Sequence, residues 1–146
     1  MTSIKRQVCC TQEIPPIREA VRPYHEELLD LFRREMDYRR NDDLGTTVPE
    51  DDDYIHHFEQ LYWCGFLLYL IGNPADVPLM WEEKYISMDT GCGFDGQFLV
   101  GAGVEETIRY LEENHKSEIA GYLRELGSGG EFAYLSLWER YRIYYF

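Results

Sequence analysis

Apolar residues follow a helical spacing over the first part of the chain. Between Ile17 and Met36 they recur at steps of three and four residues, which places them on one side of a helix predicted at about residues 16–40. Pro23 lies inside this helix, where a proline removes a backbone hydrogen bond and crowds the preceding turn. The pattern therefore predicts a kink or a break at that point.

A polar stretch separates this helix from a second, more apolar one. Thr47 and Glu50 have the spacing of a capping box, which predicts a helix that begins at Val48 and ends before Gly72. Its second half, residues 61–71, is apolar on every side. Because a helix without a polar face has to be covered all round, we expect it at the centre of the domain.

The rest of the chain predicts shorter helices and one irregular segment. A short helix follows Asp76, with Trp81, Tyr85 and Met88 at the helical spacings of four and three residues. Later helices are predicted at residues 104–114, 117–126 and 131–146, and the aromatic end of the last segment is also compatible with a strand. Clustered glycines mark residues 89–103 as irregular, with a brief extended stretch at residues 97–100. Such a long segment in a helical domain is typical of either a functional loop or a buried structural plug.

These elements together predict an all-α fold. We expect a compact single-domain bundle of five or six helices over residues 1–146, with residues 1–13 as a flexible N-terminal segment. A chain of 146 residues is the usual size of one domain and can bury a sizeable core without a metal or disulfides.

The chain is strongly acidic. Its 14 Lys and Arg oppose 27 Asp and Glu, so its formal net charge is −13 at pH 7. This balance argues against nucleic acid and anionic membranes as partners, because both polyanions favour Lys and Arg. The longest apolar run has eleven residues, whereas a membrane-spanning helix needs about 20. The first ten residues lack the apolar stretch of a signal peptide, so we expect a cytoplasmic protein.

The acidic residues suggest a protein partner of opposite charge. After residue 40, twenty Asp and Glu face six Lys and Arg, and the chain also has 12 Tyr, a residue type that anchors protein interfaces. In size, acidity and lack of catalytic motifs the chain resembles small acidic immunity proteins, which neutralise basic nuclease toxins. The resemblance implies a non-catalytic module that binds a basic protein. The expected contact residues are Asp51, Asp52, Asp53, Glu82, Glu83, Asp89 and Asp95. A homodimer is compatible with the sequence, as is a structural or regulatory domain.

Two pairs of carboxylates support an alternative hypothesis, a metal site. Glu27 and Asp30 stand three residues apart on one predicted helix, and Glu50 and Asp53 stand three apart at the start of the next. If the helices lie antiparallel, the four carboxylates can meet and hold Mg²⁺, which prefers oxygen ligands. The spacing resembles the paired acidic motifs of all-α nucleotide pyrophosphohydrolases, with Asp30 in place of the more usual Glu. The resemblance implies Mg²⁺-dependent hydrolysis of a phosphoanhydride.

Overall fold

The computed structural model describes the backbone of residues 14–43, 51–86 and 94–145, and the side chains of residues 17–40, 60–86 and 94–144. The predictions of a flexible segment at residues 1–13 and of a helix start at Val48 lie outside the described residues. The described residues are helical and include no β-strand, which confirms the all-α fold class.

Seven α-helices are present among the described residues. They are α1 (Ile14–Val21), α2 (His25–Asp43), α3 (Asp51–Ile71), α4 (Val77–Lys84), α5 (Val104–Glu113), α6 (Ser117–Ser128) and α7 (Leu135–Tyr145). Short 3-10 helices lie at Arg22–Tyr24, Pro74–Asp76 and Gly96–Val100. Each of the six predicted helices has a counterpart, and the seventh arises because the first predicted helix is divided.

The division falls at Pro23. The 3-10 turn Arg22–Tyr24 contains this proline and separates α1 from α2. A proline is tolerated in the first turn of a helical segment, where its missing N–H would have no partner in any case. Most of the predicted inner side is buried, namely Ile17, Val21, Leu28, Phe32 and Met36. Tyr24 and Leu31 are partly buried, and Ala20 is exposed.

The apolar second half of α3 lies in the hydrophobic core, as predicted. Residues 63–70 are buried without interruption, and α1 and α2 both pack on this helix. The ring of Phe94 also packs here, with its centroid 6.0 Å from that of Phe32 in α2 and 6.3 Å from that of Tyr62 in α3. In the part of the chain that the structure describes, no helix combines the length and apolarity that a membrane crossing requires.

The described part of the glycine-rich segment, residues 94–103, is a buried plug. Its large apolar side chains are at most 2% exposed: Phe94, Phe98, Leu99 and Val100. The extended stretch predicted at residues 97–100 is wrong, because these residues belong to the 3-10 helix Gly96–Val100. A strand would direct successive side chains to opposite faces, whereas this turn lets three consecutive apolar residues face the core.

A close backbone approach joins the plug to the end of α3. A Cβ atom at Gly101 would lie 2.0 Å from the carbonyl oxygen of Tyr69, so no larger residue fits without movement of the backbone. Gly72 has a φ of +71°, a left-handed conformation that glycine adopts without strain. The glycines at positions 72 and 101 therefore have a packing role.

The last helix, α7, is attached to the core by a buried carboxylate. Glu139 Oε1 accepts hydrogen bonds from Arg18 Nη2 of α1 at 2.9 Å and from Tyr69 Oη of α3 at 2.5 Å. Arg18 Nη1 also donates to the carbonyl oxygen of Leu70 at 3.0 Å. These bonds join three helices that are distant in sequence.

Candidate functional site

The side chains of four predicted contact residues are outside the part of the chain that the structure describes. Asp51, Asp52 and Asp53 form the first turn of α3. Their side chains, and the whole of Asp89, lie outside the described residues. Their part in partner binding stays a prediction.

Glu82 and Glu83 are neighbours in α4 but differ in burial. Glu82 is exposed, whereas Glu83 is fully buried and shares the inner face of the helix with Val77 and Met80. The spacing of three residues from Val77 to Met80 to Glu83 produces this face. Glu83 is therefore an interior residue, and its assignment to a surface contact was wrong.

Asp95 has partners within the same chain. Its carboxylate accepts a hydrogen bond from Trp138 Nε1 at 3.2 Å and another from the guanidinium of Arg142. Both donors belong to α7, and the Arg142 guanidinium also lies 4.8 Å from the ring centroid of Phe98. Asp95 thus connects the plug to α7, and a partner would have to compete with these contacts for its carboxylate.

The described carboxylates of the metal hypothesis do not form a closed ligand set. Asp30 makes an exposed ion pair with Arg34 at 2.7 Å, and Glu27 is exposed on the same helix. The side chains of Glu50 and Asp53 lie outside the described residues. Among the residues that are described, no three His, Cys, Asp or Glu are grouped to hold a metal ion. The magnesium hypothesis stays a prediction, and calorimetry without binding heat at millimolar Mg²⁺ would contradict it.

A groove runs between α4 and the beginning of α6. Its central cavity has a volume of about 590 Å³ and is lined by Arg40, Trp81, Glu82, Tyr85, Ile86 and Glu118. A neighbouring cavity of about 680 Å³ has Trp81, Glu82 and Glu118 in its lining as well. The two cavities share a wall and together are called the α4–α6 groove.

An aromatic cluster forms one wall of this groove. The Trp81 ring lies 4.6 Å from the Tyr85 ring and 4.8 Å from the Tyr122 ring, with interplanar angles of 62° and 65°. These are edge-to-face contacts, which hold the rings in fixed relative orientations. Tyr85 is 60% exposed. Sequence reasoning missed this cluster because Tyr122, the third ring, comes from a different helix.

The charged groups of the groove are only partly paired. Arg40 Nη2 donates to Glu82 Oε1 at 3.2 Å, and Arg40 Nη1 lies 4.0 Å from Asp37. Glu118 is exposed and has no ion-pair partner among the residues with described side chains. An exposed ion pair such as Arg40 with Glu82 contributes at most about 1 kcal/mol, so a ligand can displace it at little cost.

The Tyr122 ring of the aromatic cluster lies near acidic groups. The pKa of Tyr122 is raised by burial first, and then by the nearby Tyr85, Asp95 and Glu131. Asp95 is already paired with Arg142, which leaves Glu131 as the exposed carboxylate near this ring. His115 and Lys116 line the second cavity and Arg40 lines the first, so both cavities contain basic as well as acidic side chains.

The groove therefore combines aromatic rings with carboxylates at the surface. Such an arrangement can bind a cation by ion pairing and by contact with a ring face, and nothing in the described residues supplies it with a paired nucleophile and base.

Comparisons with known protein families, with curated proteins and with solved structures found no match.

Proposed function

We propose that this chain is a non-catalytic protein-binding module, similar in kind to immunity proteins, that binds a basic protein through the α4–α6 groove. The observation that carries the proposal is the groove itself, where Trp81 and Tyr85 stand beside the carboxylates of Glu82 and Glu118. Trp and Tyr are over-represented among the residues that anchor protein interfaces, and charged groups beside them favour a partner of the opposite charge.

The surface charge supports a basic partner. Asp30, Glu112 and Glu139 each form an ion pair with an arginine. Many exposed carboxylates, however, have no ion-pair partner among the described residues. These carboxylates are Glu19, Glu26, Glu27, Glu105, Glu106, Glu113, Glu118, Glu125 and Glu131. With a net charge of −13, the chain attracts a basic protein over a distance of about 10 Å at moderate salt, which accelerates encounter.

The groove supplies the short-range contact. A Lys or Arg side chain of the partner would pair with Glu118, which has no described partner, and would place its charged end against the exposed aromatic rings. A cation over an aromatic ring contributes about 1 kcal/mol at a partly exposed site. Loss of the Trp81 ring should therefore weaken binding roughly fivefold.

An octa-arginine peptide is a suitable probe for this site. We expect its addition to the ¹⁵N-labelled chain to shift the amide signals of residues 81–86 and 118–122 more than those of other exposed segments. Trp81→Ala should raise the Kd of the peptide roughly fivefold, while Trp81→Phe, which keeps a ring, should retain most of the affinity. Added salt should weaken binding throughout, because the attraction is screened.

Matched controls separate the groove from general acidity. Glu118→Gln and Glu113→Gln each remove one exposed carboxylate, and only Glu118 lines the groove. The proposal expects a larger loss for Glu118→Gln. Signal shifts spread evenly over the acidic surface, or equal losses in the two variants, would reject the groove as the binding site.

A further inference from the structure

The outer side of α7 carries a continuous apolar stripe. Tyr134 precedes the helix by one residue, and Leu137, Tyr141 and Tyr144 follow at steps of three, four and three, so all four lie on one side. Their exposed fractions are 75%, 66%, 57% and 74%. Together these residues are called the α7 stripe. Apart from Tyr85, they are all of the large apolar residues classed as exposed in the described part of the chain.

The stripe cannot reach the core by rotation of α7, because the opposite side of the helix is held in place. Trp138 makes edge-to-face contacts with Tyr69 and Phe98, at 4.9 and 5.1 Å between ring centroids. Glu139 is bound by Arg18 and Tyr69, and Ile143 is buried. Rotation would break all of these contacts, so the outward position of the stripe is built into the fold.

The stripe also lacks negative charge. Glu139, the one carboxylate within Leu135–Tyr145, points inward, and Arg142 is paired with Asp95. Arg140 is the remaining charged residue of this helix, and it lies exposed at the edge of the stripe. In a chain with a net charge of −13, the stripe itself holds no carboxylate that would oppose one of a second copy, and the exposed Glu131 lies three residues before its first member.

The area of the stripe fits a dimer interface. At the exposed fractions above, four large side chains offer roughly 500 Å² of apolar surface. A standard interface buries about 800 Å² on each partner, and about 65% of a homodimer interface is apolar. The stripe therefore matches the apolar centre of such an interface.

We propose that the α7 stripe is the contact surface of a homodimer in which the same stripe of two copies packs together about a two-fold axis. The contact is isologous, so each stripe residue meets residues of the same set in the second copy. This proposal does not depend on the binding of a basic partner, since the α7 stripe and the α4–α6 groove have no residue in common.

Sedimentation equilibrium of the full chain, in reducing buffer to prevent interchain disulfides, tests the proposal. We expect twice the mass of one chain at micromolar concentration, and a dissociation constant at least 100-fold higher for Leu137→Asp. Tyr85→Asp is the matched control, because it replaces an equally exposed apolar residue outside the stripe and should leave the dimer intact. Circular dichroism verifies that both variants fold.

Salt provides a second, independent readout. Two copies with a charge of −13 each repel one another, so added salt should strengthen a dimer held by the apolar stripe. Binding of a basic partner should weaken under the same change. A monomeric chain at 100 micromolar in high salt, or a dimer lost equally in Tyr85→Asp, would overturn the proposal. If Leu137→Asp does not fold, Tyr144→Ser at the end of the stripe should weaken the dimer, and an unchanged dissociation constant would equally overturn it.

Discussion

Replacement of Glu139 is the sharpest test of how α7 is held. The Glu139 side chain is 12% exposed and that of Arg18 is 29% exposed, while Tyr69 is buried. Burial raises the pKa of Tyr69 well above its usual value, and the hydrogen bond to Glu139 raises it further. The Tyr69 hydroxyl therefore stays protonated and donates to the carboxylate at all pH values at which the protein is studied.

The expected loss of stability follows from the two bonds. In Glu139→Ala the buried Tyr69 hydroxyl loses its acceptor, at a cost of about 2 kcal/mol. Arg18 loses a charged partner but keeps its bond to Leu70 and partial access to water, so that loss is about 1 kcal/mol. The free energy of unfolding should fall by about 3 kcal/mol, which corresponds to a decrease in Tm of roughly 6–12 °C for a chain of this size.

Urea unfolding followed by far-UV circular dichroism measures this change, at one fixed protein concentration because dimerisation would contribute to stability. Glu139→Gln keeps an oxygen acceptor and should lose only about 1 kcal/mol. In a Tyr69→Phe background the cost of Glu139→Ala should shrink by about 1 kcal/mol or more, since the hydroxyl is already absent. A loss below 1 kcal/mol for Glu139→Ala, or full additivity with Tyr69→Phe, would refute the reasoning.

Two further predictions concern the backbone and pH. Gly101→Ala should destabilise the protein by about 2 kcal/mol or more, because its Cβ would lie 2.0 Å from the carbonyl oxygen of Tyr69. Gly121→Ala should stabilise α6 by up to about 1 kcal/mol, because its Cβ meets open space and alanine favours helix. Urea unfolding that ranks these two variants in the opposite order would contradict the packing described. Burial raises the pKa of Asp76 above 3.8, although the hydrogen bond from His25 at 2.6 Å opposes this shift. Its contribution to stability is therefore complete below pH 3.8 and is lost as pH rises through the raised pKa. The difference in unfolding free energy between the native chain and Asp76→Asn should decline over that window, and a difference that rises with pH would show the sign to be wrong.

The groove and the stripe differ in how far they could be predicted. The α4–α6 groove joins Trp81 and Tyr85 of one region to Tyr122 and Glu118 of another, and their approach depends on how α4 packs beside α6. No local pattern contains that information. The sequence predicted both Glu82 and Glu83 as contact residues. It could not distinguish the exposed Glu82 from the buried Glu83.

The sequence by itself determined the helical class, the break at Pro23 and the central place of α3. Each of these depends on local properties: the period of apolar residues, the missing N–H of proline, and a run of residues with no polar side. Short-range preferences are enough for such conclusions, and the structure agrees with them.

The tertiary structure decided which side of an ambiguous helix faces inward. In α7, apolar residues occur on both sides, so periodicity cannot distinguish Trp138 and Ile143, which pack on the core, from Leu137 and Tyr141, which face outward. The 3-10 helix Gly96–Val100 is a similar case, because it is the core above α3 that makes a tight turn favourable over an extended strand. Contacts between segments that are distant in sequence decide these choices, and local sequence patterns do not predict such contacts.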